Sequence, residues 1–141
     1  MITRLFDQLD QYDFQIRRIV AELVCERDVL VAQHRALQAA MAEALRGFPH
    51  LGEQIDALKA AGRTLSLMTL EFSLTYLEKM ADLLSTVRAQ SDLNEDNLRT
   101  LESIAPLAAL NIEKASKLLE RARTESRWLA DALSQLARQS V

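Results

Sequence analysis

A chain of 141 residues, with 3 Gly, 2 Pro and 49% hydrophobic residues, is long enough for one domain with a core and too poor in turn-formers for anything but long helices and few loops. A net charge of −3 argues against broad electrostatic binding to nucleic acid, and the lone Cys25 excludes an internal disulfide framework. No 18-residue stretch is free of charge and no apolar run follows a basic start, so neither a membrane span nor a signal peptide is expected, and the default location is cytoplasmic.

The first helix is expected from about Thr3 to Arg46. Ile2, Leu5, Leu9, Tyr12, Ile16, Ile19 and Leu23 alternate by three and four, the spacing of a heptad seam, and the phase continues through Glu26, Leu30, Gln33, Leu37, Ala40 and Ala44. The polar seam residues Glu26 and Gln33 either fix register or mark a shift to the neighbouring stripe of Val20, Val24 and Val31. Gly47-Phe48-Pro49 should end the helix, with Gly47 as a left-handed residue past its last turn.

The second helix is expected from Pro49 or His50 to about Gln90, continuous through Gly62 despite the cost of an interior glycine. Its stretch Leu65–Leu84 is read as the one around which the chain is organised. At 100° per residue, Leu65, Met68, Phe72, Tyr76, Met80 and Leu83 form one apolar stripe, and Leu67, Leu70, Leu74, Leu77, Ala81 and Leu84 form another. Glu71, Glu78 and Asp82 occupy the remaining arc. A helix with two stripes calls for at least two neighbours.

The third helix should start after Asn94, a good N-cap, with Leu93 and Leu98 at staple spacing, and run to about Gln139. Its seam is Leu98, Leu101, Ala105, Ala108, Ile112, Ala115, Leu119, Ala122, Ser126, Leu129, Leu133 and Leu136. Pro106 should kink or break it, with Ser103 placed to cap a fresh start. The expected fold is therefore all-α: a single domain over residues 1–141, an antiparallel bundle of three long helices with coiled-coil-like packing.

Chemistry-bearing residues are sparse. His34 and His50 sit on different helices and no Glu-x-x-His pair is present, so no metal site is expected. Cys25 has no partner cysteine or local base and reads as a buried structural thiol. No glycine-rich phosphate loop exists, and no cofactor is expected. Asp7, Asp10 and Asp13 form an acidic row on a solvated face. Lys114, Lys117, Arg121, Arg123 and Arg127, interleaved with Glu113, Glu120 and Glu125, read as a salt-laced surface paired by Glu113–Lys117 and Glu120–Arg123. Trp128, beside Leu129, either caps the core or anchors an interface.

The run His34-Arg35-Ala36-Leu37-Gln38 resembles the His-x-Leu-Lys-Gly motif of histidine phosphotransfer domains, but its Leu is displaced and its Lys and Gly are missing. A phosphotransfer protein using His34 is the alternative function. The leading expectation is a non-enzymatic, chaperone- or adaptor-like helical interaction module that self-associates or holds an amphipathic helix of a partner protein. In size, acidity and helical build the chain is similar to the flagellar and type III export chaperones, a similarity of architecture without a shared motif. The surplus apolar surface makes a homodimer the expected state of the purified chain. The partner-binding candidates are Met68, Phe72, Tyr76, Met80, Val24 and Met41. Nucleic acid is not expected as a partner.

Overall fold

A computed structural model describes residues 2–61, 67–89 and 95–139. Apart from Phe48 those residues are helical: α1 (Ile2–Gly47), a 3-10 turn (Pro49–Leu51), α2 (Gly52–Ala61), α3 (Leu67–Ala89) and α4 (Glu95–Gln139). Whether Gly62 interrupts a helix, and the capping by Asn94 and stapling by Leu93, lie outside the described residues. No helix among them is long and apolar enough to cross a membrane.

α1 is 46 residues long, about 69 Å at ~1.5 Å per residue. It ends because of Phe48 and Pro49 rather than through a left-handed Gly47. The Phe48 amide still donates to the Ala44 carbonyl at 2.7 Å, closing the last helical turn. Phe48 then leaves the helix at φ −138°, ψ 75°, outside the α region that a following proline disfavours. Pro49 opens the 3-10 turn, which the Leu51 amide closes on the Phe48 carbonyl at 2.9 Å.

α1, and not the Leu65–Leu84 stretch, is the hub. It packs against α4 and against α3, while α3 and α4 touch each other only lightly. Every seventh residue of α1 from Leu9 (Leu9, Ile16, Leu23, Leu30, Leu37, Ala44) is buried. So is every seventh residue of α4 from Leu101 (Leu101, Ala108, Ala115, Ala122, Leu129, Leu136). The intervening seam residues Tyr12, Ile19, Glu26, Gln33 and Ala40 are half-buried. Gln33 Nε2 donates to the Ser126 carbonyl at 3.2 Å, and Arg123 reaches Glu22 and Glu26 at 3.8 and 3.6 Å. The polar seam residues thus bond across to α4, and Arg123 pairs with α1 rather than with Glu120. In this register Ile16, Leu23 and Leu30 stand near the level of Ala108, Ala115 and Ala122, so large side chains of α1 meet small ones of α4.

Ion pairs fix α3 along α1. Arg88 Nε contacts Asp10 at 3.0 Å, with its guanidinium 4.6 Å from the centroid of the Phe6 ring. Arg17 bonds Ser85 Oγ at 2.8 Å and its own neighbour Asp13 at 3.0 Å. Arg27 reaches Glu71 at 3.2 Å. These pairs step down α3 as they step up α1, so the two helices run in opposite directions. Desolvation disfavours the Arg27 cation, but its bonds to Asp28 and Glu71 outweigh it and raise the pKa above the ordinary guanidinium value.

α4 runs unbroken through Pro106. Pro106, Glu102 and Ser103 are all exposed, so the carbonyl that loses its backbone donor at Pro106 turns to water instead of staying buried. Ser103 caps nothing; its hydroxyl donates back to the Arg99 carbonyl at 2.9 Å. Cys25, expected inside, is exposed: two residues past the core position Leu23, it lies about 200° round the helix.

Of the two stripes on α3, Leu67–Leu84 is covered, with Leu70, Leu74, Leu77, Ala81 and Leu84 buried, whereas the other buries Met80 and exposes Met68, Phe72, Tyr76 and Leu83. Leu70 is 0% exposed, whereas Phe72 on the other stripe is 69% exposed. Leu70→Asp should therefore unfold the chain, since an unpaired buried charge costs about 3–5 kcal/mol against a typical total of about 5–15. Phe72→Asp should keep the helical circular-dichroism signal of wild type, because nothing of the core is lost. Equal melts for the two variants would mean that the stripes are wrongly assigned.

Candidate functional site

Two places on the molecule combine features that packing alone does not require. The first is a polar cluster between α1 and α4. Glu125 lies in a line of α4 residues spaced by seven (Ile104, Asn111, Leu118, Glu125, Ala132), all buried. Glu125 is only 6% exposed, and its Oε1 accepts no hydrogen bond. The nearest cationic candidate is His34 Nε2, at 3.9 Å. Beside them, Gln33 Oε1 is also buried without a donor. The sequence reading set Glu125 on a salt-laced surface; the structure puts the carboxylate inside and leaves the His34 side chain 32% exposed. No group of three or more His, Cys, Asp or Glu side chains that could hold a metal occurs among the described residues.

The second is a groove of about 790 Å³ between α3 and α4, opened because these helices barely touch. Phe72, Ser73 and Tyr76 line its α3 side, with Leu77 and Leu118 below. Lys114, Lys117 and Arg121 line its α4 side, and Asn111 lies on its floor. Met68 and Leu83 continue the exposed stripe of α3, while Leu107 and Leu110 are exposed on α4 about two turns and one turn before Lys114. The turn positions explain the arrangement. Residues 68, 72, 76, 79 and 83 share one arc of α3, and 107, 110, 114, 117 and 121 share one arc of α4.

The six partner-binding candidates therefore separate. Met68, Phe72 and Tyr76 are exposed together along this groove. Met80 and Met41 are buried in the core, and Val24 is half-buried against it. Trp128 also packs against the core. The sequence reading missed Asn111 and Glu125; their common spacing from Ile104 was the available signal, hidden because two of its five members are polar. The predicted pair Glu113–Lys117 forms at 3.4 Å, and the acidic row is drawn into ion pairs through Asp10 and Asp13.

Comparison with protein-family models, with curated proteins and with solved structures finds no match for this chain.

The polar cluster yields a stability test. Replacing a buried polar group that has no hydrogen-bond partner by an apolar one removes its desolvation cost. Glu125→Leu should accordingly raise the urea midpoint, worth about 1–2 kcal/mol, while His34→Ala should lower it by about 1 kcal/mol by leaving the carboxylate without a neighbour. A lower midpoint for Glu125→Leu would show that the carboxylate is bonded more strongly than its geometry indicates.

Proposed function

We propose that this chain is a non-enzymatic helical interaction module, built as an antiparallel bundle of three long arms in which α2 and α3 together form the second. The module presents the outer stripe of α3 and the adjoining face of α4 to a helix of another molecule. In the absence of a partner, two copies cover the same face and the chain is a homodimer. The observation that carries this reading is the largely uncovered second stripe. Met68, Phe72 and Tyr76 are exposed side by side on a helix whose opposite stripe already supplies the core. Large apolar side chains grouped along a groove mark a contact surface more often than isolated ones do. A helix laid in such a groove is a recurrent mode of recognition.

The phosphotransfer alternative has less support. A phosphoryl group on His34 Nε2 would meet the Glu125 carboxylate, 3.9 Å from that nitrogen, and like charges at that distance repel. His34→Gln is expected to leave partner binding and assembly unchanged.

Light scattering after size exclusion tests the proposal at micromolar concentration. Wild type should have twice the 15.9 kDa chain mass. Phe72→Asp together with Tyr76→Asp should return it to the chain mass while it keeps the helical circular-dichroism signal of wild type, its melt lowered only by the lost dimer stabilisation. A wild-type monomer across a dilution series would remove the self-association half of the proposal. A dimer indifferent to both substitutions would place its interface elsewhere.

A further inference from the structure

Charge is not spread evenly around α3. Its carboxylates turn toward α1: Glu71 pairs with Arg27 at 3.2 Å, Asp82 lies 3.9 Å from Arg17, and Glu78 lines a hollow shared with Arg17. On the other side, the residues lining the α3–α4 groove include Lys114, Lys117 and Arg121 and no carboxylate. Lys117 lies 3.4 Å from Glu113 one turn back, and Arg121 too is already engaged within the chain. The Lys117–Glu113 pair is largely exposed on both sides, so exchanging it for another carboxylate costs little. An acidic protein thus has one groove that is apolar on one wall and basic on the other.

The floor of the groove adds an independent observation. Asn111 is 9% exposed and its side chain lines the groove. The amide offers two donors, which suits a carboxylate or carbonyl oxygen.

From this arrangement we infer that the occupant of the α3–α4 groove is an acidic amphipathic helix of a partner protein. Its apolar stripe packs on Met68, Phe72 and Tyr76, and Asp or Glu side chains along one flank meet Lys114, Lys117 and Arg121. The inference rests on the interaction-module reading above and narrows it to one class of partner. The exposed arc from Leu107 to Arg121 spans about four helical turns, or ~21 Å, so a partner helix of about 14–18 residues covers it.

The probe is a displayed library of 18-residue helices with a fixed Leu stripe at i, i+3, i+4 and i+7 spacing and flanks randomised among Asp, Glu, Lys, Arg, Ser and Gln. Selection is run against wild type, against Lys114→Glu with Lys117→Glu, and against Phe72→Asp, each first shown to keep the helical circular-dichroism signal of wild type. Wild type should enrich Asp and Glu on one flank. The selected peptides should weaken about tenfold on the lysine variant and lose binding on Phe72→Asp, and the lysine variant should enrich Lys and Arg instead. Enrichment without acidic preference, or binding indifferent to the lysine variant, overturns the inference; if those peptides still depend on Phe72, the module reading survives it. No enrichment from a dimeric wild type that Phe72→Asp splits gives the groove to a second copy, again overturning the inference alone. No enrichment from a monomeric wild type overturns both.

Discussion

The structure depends on the match between two seven-residue ladders, Leu9 to Ala44 on α1 and Leu101 to Leu136 on α4. A strict period of seven holds a seam on one face only if the helices wind slightly around each other, because a straight helix drifts by about 20° per heptad. Ala108, Ala115 and Ala122 allow the close approach that this winding needs. Once α4 is seated there, α3 is left with the free flank of α1, where Arg17 and Arg27 of α1 reach Ser85 and Glu71 and Arg88 of α3 reaches Asp10. α3 therefore settles against α1 and not into the angle between α1 and α4, and the open groove is the consequence.

The polar residues inside the α1–α4 seam serve position more than stability. Gln33 spends one amide hydrogen on the Ser126 carbonyl, and Arg123 bridges to Glu22 and Glu26. A shift of α4 by one heptad would keep Leu and Ala in contact but break these bonds and strand the Glu125 carboxylate away from His34. Buried polar groups that single out one register among several apolar alternatives are a known device of coiled coils.

Much of this was legible in the sequence because it follows from periodicity. The seam of α1, the covered stripe of α3 and the end of α1 near Gly47 all come from spacing and turn chemistry alone. Periodicity identifies which faces are apolar but not what covers them. The two stripes on α3 therefore suggested a central helix, although most of one is exposed. Glu125 and Asn111 were hidden by their type: an acid among interleaved charges and a lone amide both read as surface, and only their seven-residue spacing from Ile104 marks them as inward. Pro106 misled for a related reason. Its steric rule is local, whereas whether the helix survives depends on whether the affected carbonyl is buried, and Glu102 faces solvent.

The arrangement of the hub also bears on how the chain reaches this state. Its main interface joins the first helix to the last, and the Gln33–Ser126 bond spans 93 residues of sequence. The α1–α3 pair between Arg27 and Glu71 spans only 44. Doubling the closed length costs only about 0.6 kcal/mol in loop entropy, so the native balance barely registers it. The order of assembly does, since closures of shorter span are reached sooner and contacts of long span slow the search. The α1–α3 hairpin is then the early structure, and it holds the Leu9–Ala44 ladder exposed until α4 arrives. Although its described residues are almost wholly helical, the folding of this chain is governed by a contact as non-local as those of a β-sheet.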